Sequence, residues 1–257
     1  MDLQLKNKIA IVGGGSDGIG HSIALALAAE GAKVAISARR EAGLSRAAEA
    51  IRAKTGAEVL PIAADCRDAE DCRRVIETAA AHFGGIDILV NNDGAPPLGG
   101  ITTFDDAAWQ KALEQNFMYA VRMARGVVPS MERRGGGSIL NITAISAIQP
   151  IAGFGLSVAT WAGVIGFAKT LSIEVAPLNI SVNTICPGYI ETKRLEKVFT
   201  GEDAQAMRRK LVSEIPMGRI GTVTDVANLV AFLVSPLGRY VTGSAIQVDG
   251  GLLQALR

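Results

Sequence analysis

Glycines at 14, 18 and 20, in the run "VGGGSDGIGHSIALALAAEGAKV", have the spacing of a loop that receives a phosphate. The run leaves an apolar strand-like segment and enters an amphipathic helix, so its glycines permit a tight turn and close backbone approach to a pyrophosphate. The helix N-terminus favours the negative charge of that group. Asp17 sits inside the loop and brings a carboxylate close to the same phosphates. Cys66, Cys72 and Cys186 are odd in number, form no CxxC pair and read as small buried hydrophobes, so no metal site or disulfide is expected. His21, at a helix start, and His82, in the helix end "AHFGG", read as surface or capping residues.

The elements that must hold these residues are legible as alternation. Short β-type runs, "KIAIVG", "KVAISA", "AEVLPIAA", "IDILVNN", "GSILNIT", "ISVNTICPG" and "SAIQVDG", alternate with helical patterns from end to end. That rhythm predicts βαβ units, and the near-continuous apolar character of the runs suits strands covered on both faces. The expectation is a single Rossmann-type α/β domain over 1–257, with a seven-stranded parallel doubly wound sheet and helices on both sides. One stretch departs from the rhythm. Residues 193–215, "KRLEKVFTGEDAQAMRRKLVSEI", are charged and helical in pattern, and read either as a lid beyond the strand ends or as a solvated surface helix.

Composition excludes some classes of function. The 26 Lys+Arg nearly balance 25 Asp+Glu, and no basic stripe interleaves with aromatics, which argues against a nucleic-acid partner. The 49% of hydrophobic residues supply a core. No stretch is read as reaching the roughly 20 apolar residues of a membrane span, so the expectation is a cytoplasmic chain with no membrane partner.

Taken together the motifs resemble those of the short-chain dehydrogenase/reductase family, over about residues 5–251. The family's Thr-Gly-x-x-x-Gly-x-Gly loop matches residues 13–20 with Gly13 in place of the threonine, and "NNDG" matches Asn-Asn-Ala-Gly with Asp93 in place of alanine. "DCRD" matches the segment whose aspartate, here Asp65, meets the adenine; "LEQNF" supplies the asparagine Asn116; "PGYIET" and "VTGSAIQVDGG" match the later strands. The resemblance implies a dinucleotide held by Gly14, Ser16, Gly18, Ile19, Gly20, Arg39, Asp65, Cys66, Asn92, Gly94, Pro187, Gly188, Ile190 and Thr192. Members that prefer NAD end the second strand on an acidic residue. Here "VAISARR" has Ala38 followed by Arg39 and Arg40, so NADP(H) is the cofactor implied, its 2′-phosphate facing a guanidinium, with Asp17 and Asp93 as carboxylates set against it.

The family's chemistry needs a serine, a tyrosine about thirteen residues on, and a lysine four residues further. The tyrosine transfers the proton while hydride moves at the nicotinamide, and an ammonium nearby brings its pKa down from about 10. In "LSVATWAGVIGFAKTL" the tyrosine position is Ser157 and the lysine position Trp161, and the serine position is Ala144. Only Asn116 remains. The three tyrosines are 119, 189 and 240, so no sliding of this helix supplies a phenol, and Lys169 lies two turns beyond Trp161. Tyr119, Tyr189, Ser146, Glu191 and Lys193 are the candidate substitutes, each more easily read as a packing or surface residue. Trp161 is expected to narrow or fill the pocket beside the nicotinamide ribose.

Three functions stay open at this point. The first is a noncatalytic subunit in a homo- or hetero-oligomer with an active relative, as in a two-subunit hydroxyacyl-CoA dehydrogenase of aromatic degradation, with an acyl-CoA as the substrate of the assembly. The second is an NADP(H)-dependent oxidoreductase, similar to 3-oxoacyl reductases, with a rewired proton path. The third is a non-redox enzyme or ligand-binding module in the same cleft.

Overall fold

Each of the seven apolar runs forms a strand: β1 (Ile9–Gly13), β2 (Lys33–Ala38), β3 (Val59–Ala63), β4 (Ile88–Asn91), β5 (Gly137–Ile142), β6 (Ile180–Pro187) and β7 (Ala245–Val248). In the computed structural model, which describes residues 1–92, 94, 96–196, 199 and 203–255, they make one sheet in the order β3-β2-β1-β4-β5-β6-β7. Every pairing is parallel, with Ile9 opposite Lys33 and Ala10 opposite Ile88 fixing the register of the central strand. The expected doubly wound sheet is therefore the observed one. Chain order reverses between β1 and β4, so connections leave in opposite directions there and open a crevice at the carboxyl ends of the strands.

Helices cover both faces. On one side α1 (Gly18–Ala29), α2 (Glu41–Thr55) and α9 (Val223–Val234) pack Ile23, Leu27, Leu44 and Val230 against Ala10 and Val12 of β1. On the other, α3 (Ala69–Phe83), α5 (Tyr119–Arg133) and α6 (Gly155–Val175) pack Val75, Met123, Val127 and Ala168 against Ile9 and Ile11. Alternate residues of one strand thus serve two cores, which is why the run is apolar throughout. Burying each such aliphatic side chain contributes about 1.5–3 kcal/mol. Helix ends follow local signals. Asp68 caps α3 by accepting from Asp71 N at 2.8 Å, while Gly56 and Gly84 close α2 and α3 in the left-handed conformation.

One expectation is corrected by α6. Gly155–Leu178 has a mean hydropathy of 1.4 over its most apolar window, which is the length and composition of a membrane-crossing helix. It is apolar around much of its circumference because it is a core helix: Leu156, Trp161, Val164, Ala168 and Val175 are buried toward the protein interior, and only Ile173 among its large hydrophobics stands well exposed. The charged stretch after β6 forms α7 (Lys193–Glu196) and α8 (Ala204–Glu214); residues 197, 198 and 200–202 of the proposed lid lie outside the described residues.

A short helix, α4 (Asp106–Ala112), runs into α5 through a π-helical turn at Leu113–Met118. The extra residue in that turn carries Asn116 to the buried side, where a regular helix would have kept a different phase.

Candidate active site

The glycine loop is built by close approach. A Cβ at Gly14, whose φ is +60°, would overlap the Asn92 carbonyl, and one at Gly20 would stand 2.5 Å from Asn92 Nδ2. That amide donates to Gly13 O at 3.1 Å, so Asn92, just past β4, ties the end of β1 across the switch point. Ser16 and Ile19 are half-buried, Ile19 with its side chain against the α1 face of the core. The loop is thus a cradle of the kind a phosphate needs.

Its mouth carries charges of both signs. Asp17 caps α1 by accepting from Gly18 N at 2.9 Å, and pairs with Lys193 Nζ at 2.8 Å. The Lys193 ammonium holds the Asp17 carboxyl below its usual range. Gly18 faces Thr192, whose Cγ2 would lie 3.5 Å from an added Cβ, and Arg194 Nη1 donates to Gly94 O at 3.4 Å. The first turn of the charged stretch therefore already leans on the glycine loop. Asp93 lies outside the described residues.

At the far end Arg39 and Arg40 are exposed just beyond β2. Asp65 is engaged by Arg67, which donates from Nε at 2.9 Å and from its backbone at 3.1 Å. That guanidinium is the main reason the Asp65 carboxyl titrates low, and the field of Arg39 adds to it. Cys66 is buried beside it, its carbonyl facing Cys72 Sγ at 3.3 Å; burial pushes the Cys72 thiol up to about 11. Among the described residues no three His, Cys, Asp or Glu side chains converge as metal ligands.

The positions aligned by the family resemblance lie just past β5, in the π-helical turn and on α6. Asn116 is 4% exposed; its Nδ2 donates to Thr160 Oγ1 at 2.8 Å, and Thr160 in turn donates to Leu156 O at 2.8 Å. Asn116 Oδ1 lies against Gly94, where a Cβ would overlap it, and has no hydrogen-bond partner among the described residues. Ala144 follows β5 in extended conformation. Ser157 is 1% exposed and its Oγ lacks a partner among the described residues, as does that of Ser146. Trp161 is 7% exposed. With Asn91, Asn116, Asn141 and Thr143 it borders a cavity of about 10 Å³, room for about one water. The side chains at the positions aligned by the family resemblance are thus a methyl at Ala144, a hydroxyl at Ser157 and an indole at Trp161.

Glu191 pairs with Arg208 and Lys193 with Asp17. The Tyr189 hydroxyl is pushed up by burial, with Glu214 adding to it. Tyr119 is 5% exposed, and its hydroxyl runs to Gly13 under the glycine loop. Of the β6 segment, Pro187 and Gly188 continue the strand, Gly188 N donating to Val248 O at 3.0 Å, while Ile190 is a core residue bridged to Gly221. Thr160 and Arg67 are the site residues that sequence reasoning missed. Thr160 directly precedes Trp161, and Arg67 stands two residues from Asp65, so adjacency was the only signal of either.

Comparison with known proteins bears on this geometry. Residues 14–253 match the family model described as "Enoyl-(Acyl carrier protein) reductase". The chain is 36% identical over 248 residues to human "Dehydrogenase/reductase SDR family member 4", covering 96% of this chain and 88% of that one. It is 35% identical over 250 residues to "3-oxoacyl-[acyl-carrier-protein] reductase FabG" of Escherichia coli K12, covering 97% and 99%. Among solved structures, L-sorbose reductase of Gluconobacter frateurii, in complex with NADPH and L-sorbose, superposes with a TM-score of 0.96 at 38% identity over 100% of both chains.

Proposed function

The chain belongs to the short-chain dehydrogenase/reductase family, and we propose that it is a noncatalytic member of it, working as a subunit beside an active relative. The observation that carries this reading is the pair on α6: Ser157 and Trp161, both buried, at the positions where the family's relay would stand. A serine hydroxyl is far less acidic than a phenol and its side chain is shorter. An indole offers one donor and no charge, so it neither lowers a neighbour's pKa nor passes a proton. The 3-oxoacyl reductase among its relatives points to a hydroxyacyl or ketoacyl thioester as the substrate of the assembly.

The residues present fit NADP(H) at its adenosine and phosphate end. Gly14, Ser16, Gly18, Ile19 and Gly20 would cradle the phosphates at the α1 terminus, Arg39 the 2′-phosphate, Asp65 and Cys66 the adenine, and Asn92 and Gly94 the adjoining ribose. Pro187, Gly188, Ile190 and Thr192 would border the other end. The bound cofactor would supply or accept hydride; this chain's own contribution is to hold it, since the described site offers no group to move the accompanying proton.

A second reading, an NADP(H)-dependent reductase with a rewired proton path, is supported by the reductase names of the relatives and by NADPH in the L-sorbose reductase structure. One experiment separates the two. The isolated chain is assayed for NADPH consumption with L-sorbose and an acetoacetyl thioester, alongside the triple variant Ala144→Ser/Ser157→Tyr/Trp161→Lys. The noncatalytic reading expects no turnover above background from the natural chain and measurable turnover from the variant. Turnover by the natural chain within tenfold of the variant would establish the second reading. Co-expression with an intact relative from the same genome is expected to give a mixed oligomer more active than the relative alone.

A further inference from the structure

Nothing in its backbone requires a glycine at position 13. Gly13 closes β1 opposite Ser37 and is absent from the glycines with positive φ. Space requires it. A Cβ there would overlap the Tyr119 hydroxyl, and would stand 3.2 Å and 3.3 Å from the carbonyl oxygen and amide nitrogen of Asn92. Tyr119 opens α5, directly after the π-helical turn that carries Asn116. Its ring borders two cavities of about 10 Å³ each, one shared with Asn116 and Trp161, the other with Ser37, Ala38 and Cys66. It therefore stands between the spaces under the two ends of the cleft. Its hydroxyl ends at the seam between β1 and the turn after β4, the seam that Asn92 Nδ2 also bridges.

The family's loop carries a threonine at this position. Its Cβ and the Tyr119 hydroxyl exclude each other, so the glycine and the tyrosine are two halves of one exchange of volume. A buried tyrosine hydroxyl is placed where polar backbone can meet it. We propose that Tyr119 is a positioning residue for the nucleotide loop: reaching from α5, its hydroxyl takes the place of the oxygen that the missing threonine would bring, and sets the spacing between the ends of β1 and β4. The consequence is mechanical. The loop that would cradle phosphates is braced from the helix that follows the turn carrying Asn116 rather than from its own side chain. This inference rests on the reading of that loop as a nucleotide cradle.

The test is a double-mutant cycle in the full chain, read without nucleotide. Gly13→Ala is expected to raise the unfolding equilibrium constant by roughly ten- to a hundredfold, the range for overpacking, but by much less in a Tyr119→Phe background, where the overlapped atom is gone. Tyr119→Phe alone is expected to raise amide exchange at residues 14–20 by about tenfold while β5 amides hold, and Gly13→Thr/Tyr119→Ala is expected to restore protection. An additive cycle would overturn the proposal. So would unchanged exchange in the loop, which would leave Tyr119 a space-filling residue. Both readouts concern the protein alone, so a failure to bind NADPH would count against the cofactor reading and not against this one.

Discussion

Asn116 donates from Nδ2 to Thr160 Oγ1 across 2.8 Å, linking the π-helical turn to α6, the helix of Ser157 and Trp161. The bond fixes which way the carboxamide faces, and leaves its oxygen aimed at Gly94. Thr160→Val keeps the shape and deletes the acceptor, so it strands a buried amide and is expected to cost about 1–3 kcal/mol in urea denaturation. Thr160→Ser should cost less than about 1 kcal/mol, since the hydroxyl is kept. Equal stability of the two variants would show that the bond does not anchor Asn116.

The Asp17–Lys193 pair occupies the mouth of the glycine loop with a carboxylate where a ligand phosphate would add more negative charge. Asp17→Ser keeps an oxygen to cap α1 and frees the Lys193 ammonium. Titration with NADPH at low salt is expected to show roughly tenfold tighter binding, about 1.4 kcal/mol, shrinking as salt rises. Weaker binding by the variant would mean that Asp17 helps hold the loop open.

The fold was legible because strand and helix are dictated locally. An apolar run such as "GSILNIT" begins at the glycines that follow the preceding helix, and parallel strands need no long-range pairing signal beyond their alternation with helices. Ala144, Ser157 and Trp161 could be aligned for a related reason: their spacing lies within one strand-to-helix segment. Contacts between distant segments were not. Thr160 lies 44 residues from Asn116, and the hydroxyl of Tyr119 meets Gly13 from the opposite half of the cleft, so no periodicity carries either relationship. Composition alone does not separate α6 from a membrane span, because a core helix shares its apolar character.

Asp225 gives the pH dependence a definite sign. Its carboxylate accepts from Arg219 Nη1 at 2.7 Å and from Thr222 N at 2.7 Å in the capping box of α9. The Arg219 bond comes first among the causes holding its pKa well below 3.8. A depressed folded pKa stabilises the native state above the ordinary carboxylate value, and that contribution disappears as pH falls through the folded value. Asp225→Asn is therefore expected to be less stable than the natural chain by about 1 kcal/mol near neutral pH. The gap should persist down to about 3.8 and close only in stronger acid. A gap already closed at neutral pH would show that the box contributes nothing through charge.

Trp161 fills a space that remains polar. Around the cavity it borders, Asn91 donates to Asn141 Oδ1 at 2.9 Å, while Asn91 Oδ1, Asn141 Nδ2 and Asn116 Oδ1 lack hydrogen-bond partners among the described residues. An indole offers a single donor, so Asn91 Oδ1 and Asn116 Oδ1 remain acceptors suited to an ammonium. Trp161→Met enlarges the void and gives those acceptors nothing, at a cost of about 2–4 kcal/mol. Trp161→Lys enlarges it similarly but brings three donors, each newly met acceptor being worth about 1 kcal/mol or more. The lysine variant is therefore expected to unfold at higher denaturant than the methionine variant, against the usual order for a buried position. If methionine proves the more stable replacement, the acceptors are already satisfied by ordered water, and the polar surroundings have been rebuilt around the indole.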